Sequence, residues 1–372
     1  MSVKKELATQ PFIVDPEMTP YERYEAAFNL KQPDDYVPTF CMFGIWQRHF
    51  VKDRFIPIKE FATNEKSFAE QMETFYKAIG IDCLYTLCDM AELAQGYGVP
   101  VNLEPEEWVQ PFMKEYAVLK EPSDCDGLEV LDPTTDGRMY LYSKAIKILA
   151  DKGYKGVVPL IQETTSPITT MCYLAGIDNT MMWSVTDPEP LKRGLITIAK
   201  STVEWIKYAA ECGADYICHC MTRATKEIMT PESYNEIATP ADEYVLKHSP
   251  SNLKFIIHAC GEDPHLDEVF MPLAERNPNL RVVNYWDRNP KTPSLSKFKE
   301  KYGHRLCAIG GMDQSKIKIY NIYEIDAEVK DAMEQAKKGG GFIIGSGCDI
   351  ATDTPIQNVI HWMYACRKYG RY

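Results

Sequence analysis

Eight short apolar runs, most of them followed by a loop and an amphipathic helical pattern, limit what this chain can fold into. The runs span residues 37–43, 81–87, 156–161, 215–220, 254–259, 281–286, 305–309 and 341–345. Helical periodicity falls between them at 64–79, 139–152, 189–211, 231–247, 264–276, 325–338 and 355–368, several of these opened by Pro or by an Asp, Thr or Asn cap. Runs apolar on both faces that alternate with helices mark parallel strands covered by helices. The economical expectation is an α/β fold, a single-domain (β/α)8 TIM barrel over residues 19–372 with a short N-terminal extension at 1–18. The competing architecture, a doubly wound open sheet, lacks its phosphate fingerprint G-x-G-x-x-G after a first strand. Gly339-Gly340-Gly341 follows a helix and enters a strand, so it reads as a helix stop.

Charge and cysteine content narrow the function classes. Lys+Arg 41 against Asp+Glu 53 gives a net charge of −12, and no basic cluster is interleaved with aromatics. A nucleic-acid or anionic-membrane footprint is therefore missing, and the expected partners are small molecules or proteins. The N-terminus Met1-Ser2-Val3-Lys4-Lys5-Glu6 is polar, and no run approaches the ~18 apolar residues of a membrane helix. A cytoplasmic protein is expected, with a homodimer left open. In a reducing compartment the 12 cysteines stay free, so most should pack as small hydrophobes while a few bind metal or react.

In a barrel the chemistry sits at the C-terminal ends of the strands. The fifth run closes on His258-Ala259-Cys260-Gly261, and the eighth on Gly345-Ser346-Gly347-Cys348-Asp349. His258 and Cys260, two apart, project to one side, and in a closed barrel the eighth strand end also faces the axis, so Cys348 can converge on them. Such a trio is either a packed structural group or a three-ligand zinc site with an exchangeable fourth position.

Other strand-end residues are candidates as well. Glu163 is placed just past the third strand as a fourth ligand or a loop cap. In Cys218-His219-Cys220-Met221 the histidine alternates away from both cysteines, which makes a second three-ligand site geometrically poor. His219 is expected to line the pocket as a catalytic hydrogen-bond partner or general acid, with Cys218 and Cys220 packing. Asp313 and Asp349 are placed to orient a ligand histidine or to bind substrate, Asp313 in the catalytic set and Asp349 in the substrate set. Tyr85, Trp46 and Trp286 are candidate substrate-binding aromatics. His49, His248, His265, His304 and His361 read as solvated or structural.

Residues 340–369, Gly-Gly-Phe-Ile-Ile-Gly-Ser-Gly-Cys-Asp and onward, resemble the C-terminal signature of the uroporphyrinogen decarboxylase superfamily, most closely its zinc-dependent corrinoid methyltransferase branch. Thr19-Pro20-Tyr21-Glu22-Arg23-Tyr24, Ser166-Pro167-Ile168-Thr169, Cys212-Gly213-Ala214-Asp215, His258-Ala259-Cys260-Gly261 and Ile309-Gly310-Gly311-Met312-Asp313 agree with it. The resemblance runs from about Thr19 to the C-terminus and implies a (β/α)8 barrel. The arginine-rich segment with which porphyrin decarboxylases grip their substrate is absent from Phe40-Cys41-Met42-Phe43-Gly44-Ile45-Trp46-Gln47-Arg48. That departure disfavours porphyrin decarboxylation. In the methyltransferase branch, His-x-Cys and a later Cys bind zinc, which the resemblance carries onto His258, Cys260 and Cys348.

The branch also works with a corrinoid. The cobalt-binding pattern D-x-H-x-x-G is missing here, and the nearest string, Asp263-Pro264-His265-Leu266-Asp267-Glu268, lacks the glycine and opens a helix. The corrinoid is therefore expected on a separate partner protein. Two reactions suit the same ligands: transfer of methyl from a methoxylated aromatic to Co(I), and transfer between a methylcobamide and a thiol of the coenzyme M type. The aromatic content favours O-demethylation as the leading expectation, with the thiol reaction as the alternative. A metal-independent decarboxylase and a non-catalytic corrinoid-protein binder stand behind them.

Overall fold

The computed structural model describes residues 6–13, 16–50, 54–104, 110–111 and 117–372, with the backbone alone described at 110–111. Eight strands form one all-parallel sheet: β1 (Thr39–Phe40), β2 (Leu84–Thr86), β3 (Leu160–Thr165), β4 (Tyr216–Cys220), β5 (Lys254–Ala259), β6 (Leu280–Tyr285), β7 (Cys307–Met312) and β8 (Phe342–Ser346). Their lateral order is β1-β8-β7-β6-β5-β4-β3-β2, the cyclic order of a (β/α)8 barrel. Almost every strand residue is buried, as runs apolar on both faces demand.

The seam between β1 and β2 is closed by side chains. Asp82 accepts hydrogen bonds from the Thr39 backbone N–H (2.8 Å) and the Thr39 hydroxyl (2.9 Å). Its two oxygens also pair with Arg23 (3.0 Å) and Arg367 (2.7 Å). Arg23 in turn grips Asp35 and the Gln10 side chain, and Gln10 donates to the carbonyls of Gly80 and Ile81. The N-terminal stretch is thus held against the barrel by the same buried network.

Where the strands and helices depart from the expected bounds, turn chemistry explains it. The third strand starts at Leu160 because Gly156 sits in a left-handed turn (φ +71°) and Pro159 has no N–H for the ladder. The seventh continues to Met312, beyond the expected 309, because Gly310 and Gly311 pair with β8 instead of ending it. The expected helix at 231–247 divides into Pro231–Ile237 and Thr239–His248, since Pro240 removes a backbone donor. The helix expected at 264–276 opens as a wide turn, Leu266–Phe270, before Met271–Arg276. Pro272 cannot donate to the Glu268 carbonyl, which accepts from Asn235 Nδ2 instead (2.9 Å). The helices Glu65–Ile79 and Met139–Asp151 fall where periodicity places them, the first capped by Asn64. No helix among the described residues is long and apolar enough to cross a membrane.

Candidate metal centre

β5 carries His258 between two register partners, Cys220 on β4 and Asn284 on β6. Residues in register across parallel strands point to the same side, here the barrel interior. Cys260 is the first residue past the strand, and Gly261 takes up the turn with φ +110°. Cys348 arrives on the loop after β8. Its sulfur lies 3.6 Å from His258 Nε2 and 4.0 Å from the Cys260 sulfur. All three donor atoms fall within 4.8 Å of one another, the span a single ion can bridge.

Asn284 sets the imidazole. Its Nδ2 donates to the carbonyls of Ser346 (2.8 Å) and Ile309 (3.3 Å), which turns Oδ1 toward His258 Nδ1 at 2.7 Å. An acceptor there requires a proton on Nδ1, so Nε2 keeps its lone pair toward the two sulfurs. The thiols are coupled. The hydrogen bond from Cys348 holds Cys260 well below the usual thiol range in spite of burial, and that same bond together with burial pushes Cys348 well above it. Burial pulls His258 down, but hydrogen bonding and the charge of Cys260 outweigh it and the imidazole titrates above its usual value. Of the 12 cysteines, Cys260 and Cys348 alone are partly exposed. Two soft donors and one borderline donor, preset in charge and tautomer, fit zinc.

The remaining candidates separate by the side of the sheet they face. Glu163 lies inside β3, not past it, and is wholly buried with both carboxylate oxygens lacking a hydrogen-bond partner. Burial, followed by the charge of Glu92, pushes its carboxyl well up. It stands outside the 4.8 Å set. Tyr85 points inward with an unpartnered hydroxyl, its ring 5.3 Å from that of Phe40. Trp286 has an unpartnered buried indole N–H, and Asp349 an unpartnered Oδ1. Burial pushes the Asp349 carboxyl well above the usual range.

Three expectations need correction. His219 faces the helix layer, where Nδ1 meets the Thr164 hydroxyl at 3.0 Å and Nε2 lies 3.6 Å from Asp242. The alternation that turns it outward turns Cys218 and Cys220 inward. Trp46 is 1% exposed inside an aromatic cluster with Phe43 and Phe75, and its N–H donates to the Thr354 carbonyl (2.9 Å). Asp313 caps its own turn, accepting from the Ser315 N–H (2.9 Å) and facing Lys316 (3.4 Å). Sequence reasoning also missed Asn284. The one available signal for Asn284 was a polar residue set among the apolar Val282, Val283 and Tyr285.

Comparison with known proteins places this geometry. A methylated-thiol–coenzyme M methyltransferase of Methanosarcina mazei is 23% identical over 360 residues, covering 95% of this chain and 90% of that protein. A methylcobamide:CoM methyltransferase, MtaA, of Methanosarcina barkeri is 24% identical over 80% of this chain and 83% of its own. The solved structure of a methyltransferase from Methanosarcina mazei superimposes with a TM-score of 0.81 at 21% identity, covering 95% of this chain and 99% of that one. The family model for uroporphyrinogen decarboxylase (URO-D) matches residues 19–369, and the chain belongs to that family.

Proposed function

We propose that this protein is a zinc-dependent methyltransferase that moves a methyl group between a small thiol and the cobalt of a corrinoid carried by a separate protein. The carrying observation is the convergence of His258 Nε2, Cys260 and Cys348, with Asn284 fixing which imidazole nitrogen faces the sulfurs. The relatives named above act on methylated thiols and methylcobamides, so the thiol reading takes precedence over the aryl-ether reading that the aromatic content favoured. Trp46, whose indole is committed to the Thr354 carbonyl, removes one support of the ether reading.

Held by His258, Cys260 and Cys348, zinc would supply a Lewis acid that keeps a substrate sulfur ionised near neutral pH. Loading the site must displace the proton that Cys260 and Cys348 share, so metal uptake releases acid and weakens as pH falls. Glu163 is proposed as the fourth donor, displaced by substrate; its support is a buried carboxylate with two unpartnered oxygens on the inner face of β3. Trp286, Tyr85 and Asp349 are proposed to contact the substrate. The missing D-x-H-x-x-G pattern supports a separate corrinoid protein as partner, and a cytoplasmic setting accords with 12 free cysteines.

The test is methyl transfer from methylcobalamin to a panel of thiols by zinc-loaded protein, beside transfer from a phenyl methyl ether to Co(I) corrinoid. Thiol methylation that is lost in His258→Ala and Cys348→Ser, with about one zinc per wild-type chain, is the expected result. Ether cleavage without thiol methylation would overturn the proposal in favour of O-demethylation. Porphyrinogen decarboxylation without bound zinc would overturn it in favour of a decarboxylase.

A further inference from the structure

Buried polar atoms without partners gather beside Cys348. Gly347 has no room for a Cβ, which would stand 2.7 Å from the Trp286 Cα and 2.8 Å from Gln314 Oε1. The ends of β6, β7 and β8 are thereby pressed together around the loop that carries the ligand cysteine. Five buried side-chain atoms on these loops have no hydrogen-bond partner; Arg288 Nε and Asp313 Oδ2 still face ion-pair partners at 3.3 and 3.4 Å, which leaves Trp286 Nε1, Gln314 Oε1 and Asp349 Oδ1 with neither. An orphaned buried polar atom costs about 1–3 kcal/mol, so three on adjoining loops indicate a place where a ligand completes the bonding.

The sign of that ligand follows from the surrounding charges. Two of the three atoms are acceptors, and one of them belongs to a carboxyl group. The cations on the same loops already have anionic partners. Arg288 lies 3.3 Å from Asp287 and also pairs with Asp331, and Lys316 lies 3.4 Å from Asp313. No unpaired cation of these loops is left to receive a sulfonate or carboxylate tail.

Resting on the thiol-methyltransferase reading, we propose that Asp349 and Gln314, with Trp286 beside them, form a subsite for the tail of the substrate, and that this tail carries an amino group. The ammonium donates to Asp349 Oδ1 and Gln314 Oε1, while Trp286 Nε1 donates to an acceptor on the ligand. Gln314 and Asp349 thus act as specificity determinants, and the sulfur end lies with Cys348.

The experiment compares 2-aminoethanethiol with 2-mercaptoethanesulfonate on zinc-loaded protein, using methylcobalamin as donor. A parallel calorimetric titration uses the S-methylated forms of both, so binding is read without turnover. Wild type is expected to favour the amine by about tenfold or more in kcat/KM and in Kd, the scale of one charge-assisted hydrogen bond. Asp349→Asn should bring the amine-to-sulfonate ratio to within about threefold of unity, and Gln314→Met should lower it by a smaller factor. The proposal falls if the sulfonate is used or bound as well as the amine. It also falls if Asp349→Asn weakens both ligands equally, because a merely structural role predicts that result. Absence of methyl transfer to any thiol counts against the reaction assigned above, and the calorimetric ratio then decides the subsite separately.

Discussion

Replacing Asn284 by Ala removes one side chain and leaves three groups without a partner. His258 Nδ1 loses its acceptor at 2.7 Å, and the carbonyls of Ser346 and Ile309 lose donors at 2.8 and 3.3 Å. Asn284 and Ser346 are 0% exposed and His258 is 2% exposed, so water has little access for replacing these bonds. At about 1–3 kcal/mol per orphaned group, and allowing for relaxation of the longer bond, the variant should lose about 3 kcal/mol of stability in urea unfolding. The metal consequence is separate. Without the acceptor, the proton is free to move to Nε2, and zinc affinity should fall about 10–100-fold in competition with a chromogenic chelator. Asn284→Asp divides the two effects. One carboxylate oxygen can still accept from Nδ1 while the other faces two carbonyls, so stability should drop as in the Ala variant and zinc affinity should drop less. A folded Asn284→Ala protein that binds zinc within about twofold of wild type would refute the claim that Asn284 sets the tautomer.

Removing the carboxylate at the barrel seam with Asp82→Ala leaves Arg367 buried without its carboxylate and Arg23 with Asp35 alone; a loss of about 3–5 kcal/mol is expected, and a loss below about 1 kcal/mol would mean that other contacts close β1 against β2. Asp287 gives a pH signature. Burial raises its carboxyl to about 6, against the pull of Arg288 and the Gly311 N–H. The native state therefore holds more protons than the unfolded state between about pH 4 and 6, and stability falls as pH rises through that window. Asp287→Asn should flatten that segment of the stability profile by about 2–3 kcal/mol, and an unchanged difference from wild type across it would contradict the assignment. Gly347→Ala drives a Cβ into the Trp286 backbone, so a cost of about 1–3 kcal/mol and weaker zinc retention are expected from thermal unfolding and metal analysis.

The features legible from sequence were those fixed by local pattern. β5 falls on residues 254–259 as expected, because Lys254 and Ala259 bound a continuous apolar run with no Gly or Pro inside it. The ligand trio was legible for a related reason: alternation puts His258 and Cys260 on one side, and barrel closure turns the end of β8 toward the same axis. What failed was the choice of side where only alternation was known. In β4, either His219 or the pair Cys218 and Cys220 had to face inward, and nothing local decides between them. The register does decide, because Cys220 pairs with His258. Trp46 failed differently, since an aromatic near a strand end is equally suited to packing or to a pocket until its neighbours, here Phe43 and Phe75, are known.

The carboxylates at the two ends of the barrel are partnered differently, and that contrast supports the functional assignment independently of any relative. Where the strands begin, Asp82 has four partners, both nitrogens that Arg23 turns toward Asp35 are bonded, and Gln10 uses its oxygen and its nitrogen. Asp82 and the Asp35-facing side of Arg23 are saturated with hydrogen bonds there, while Arg367 Nε and Arg305 Nη1 each lack a partner. Where the strands end, Tyr85, Glu163, Trp286, Gln314 and Asp349 all carry buried polar atoms without partners, and the two partly exposed cysteines have sulfurs 4.0 Å apart. Stability alone would select against that arrangement, at about 1–3 kcal/mol for each orphaned group. In the function proposed above, a metal ion and a polar substrate would supply the missing partners together. Saturation with zinc and an amino-bearing thioether should therefore raise the unfolding midpoint by more than zinc alone, and an increment no larger than that of zinc would show that the unpartnered atoms do not serve ligand binding.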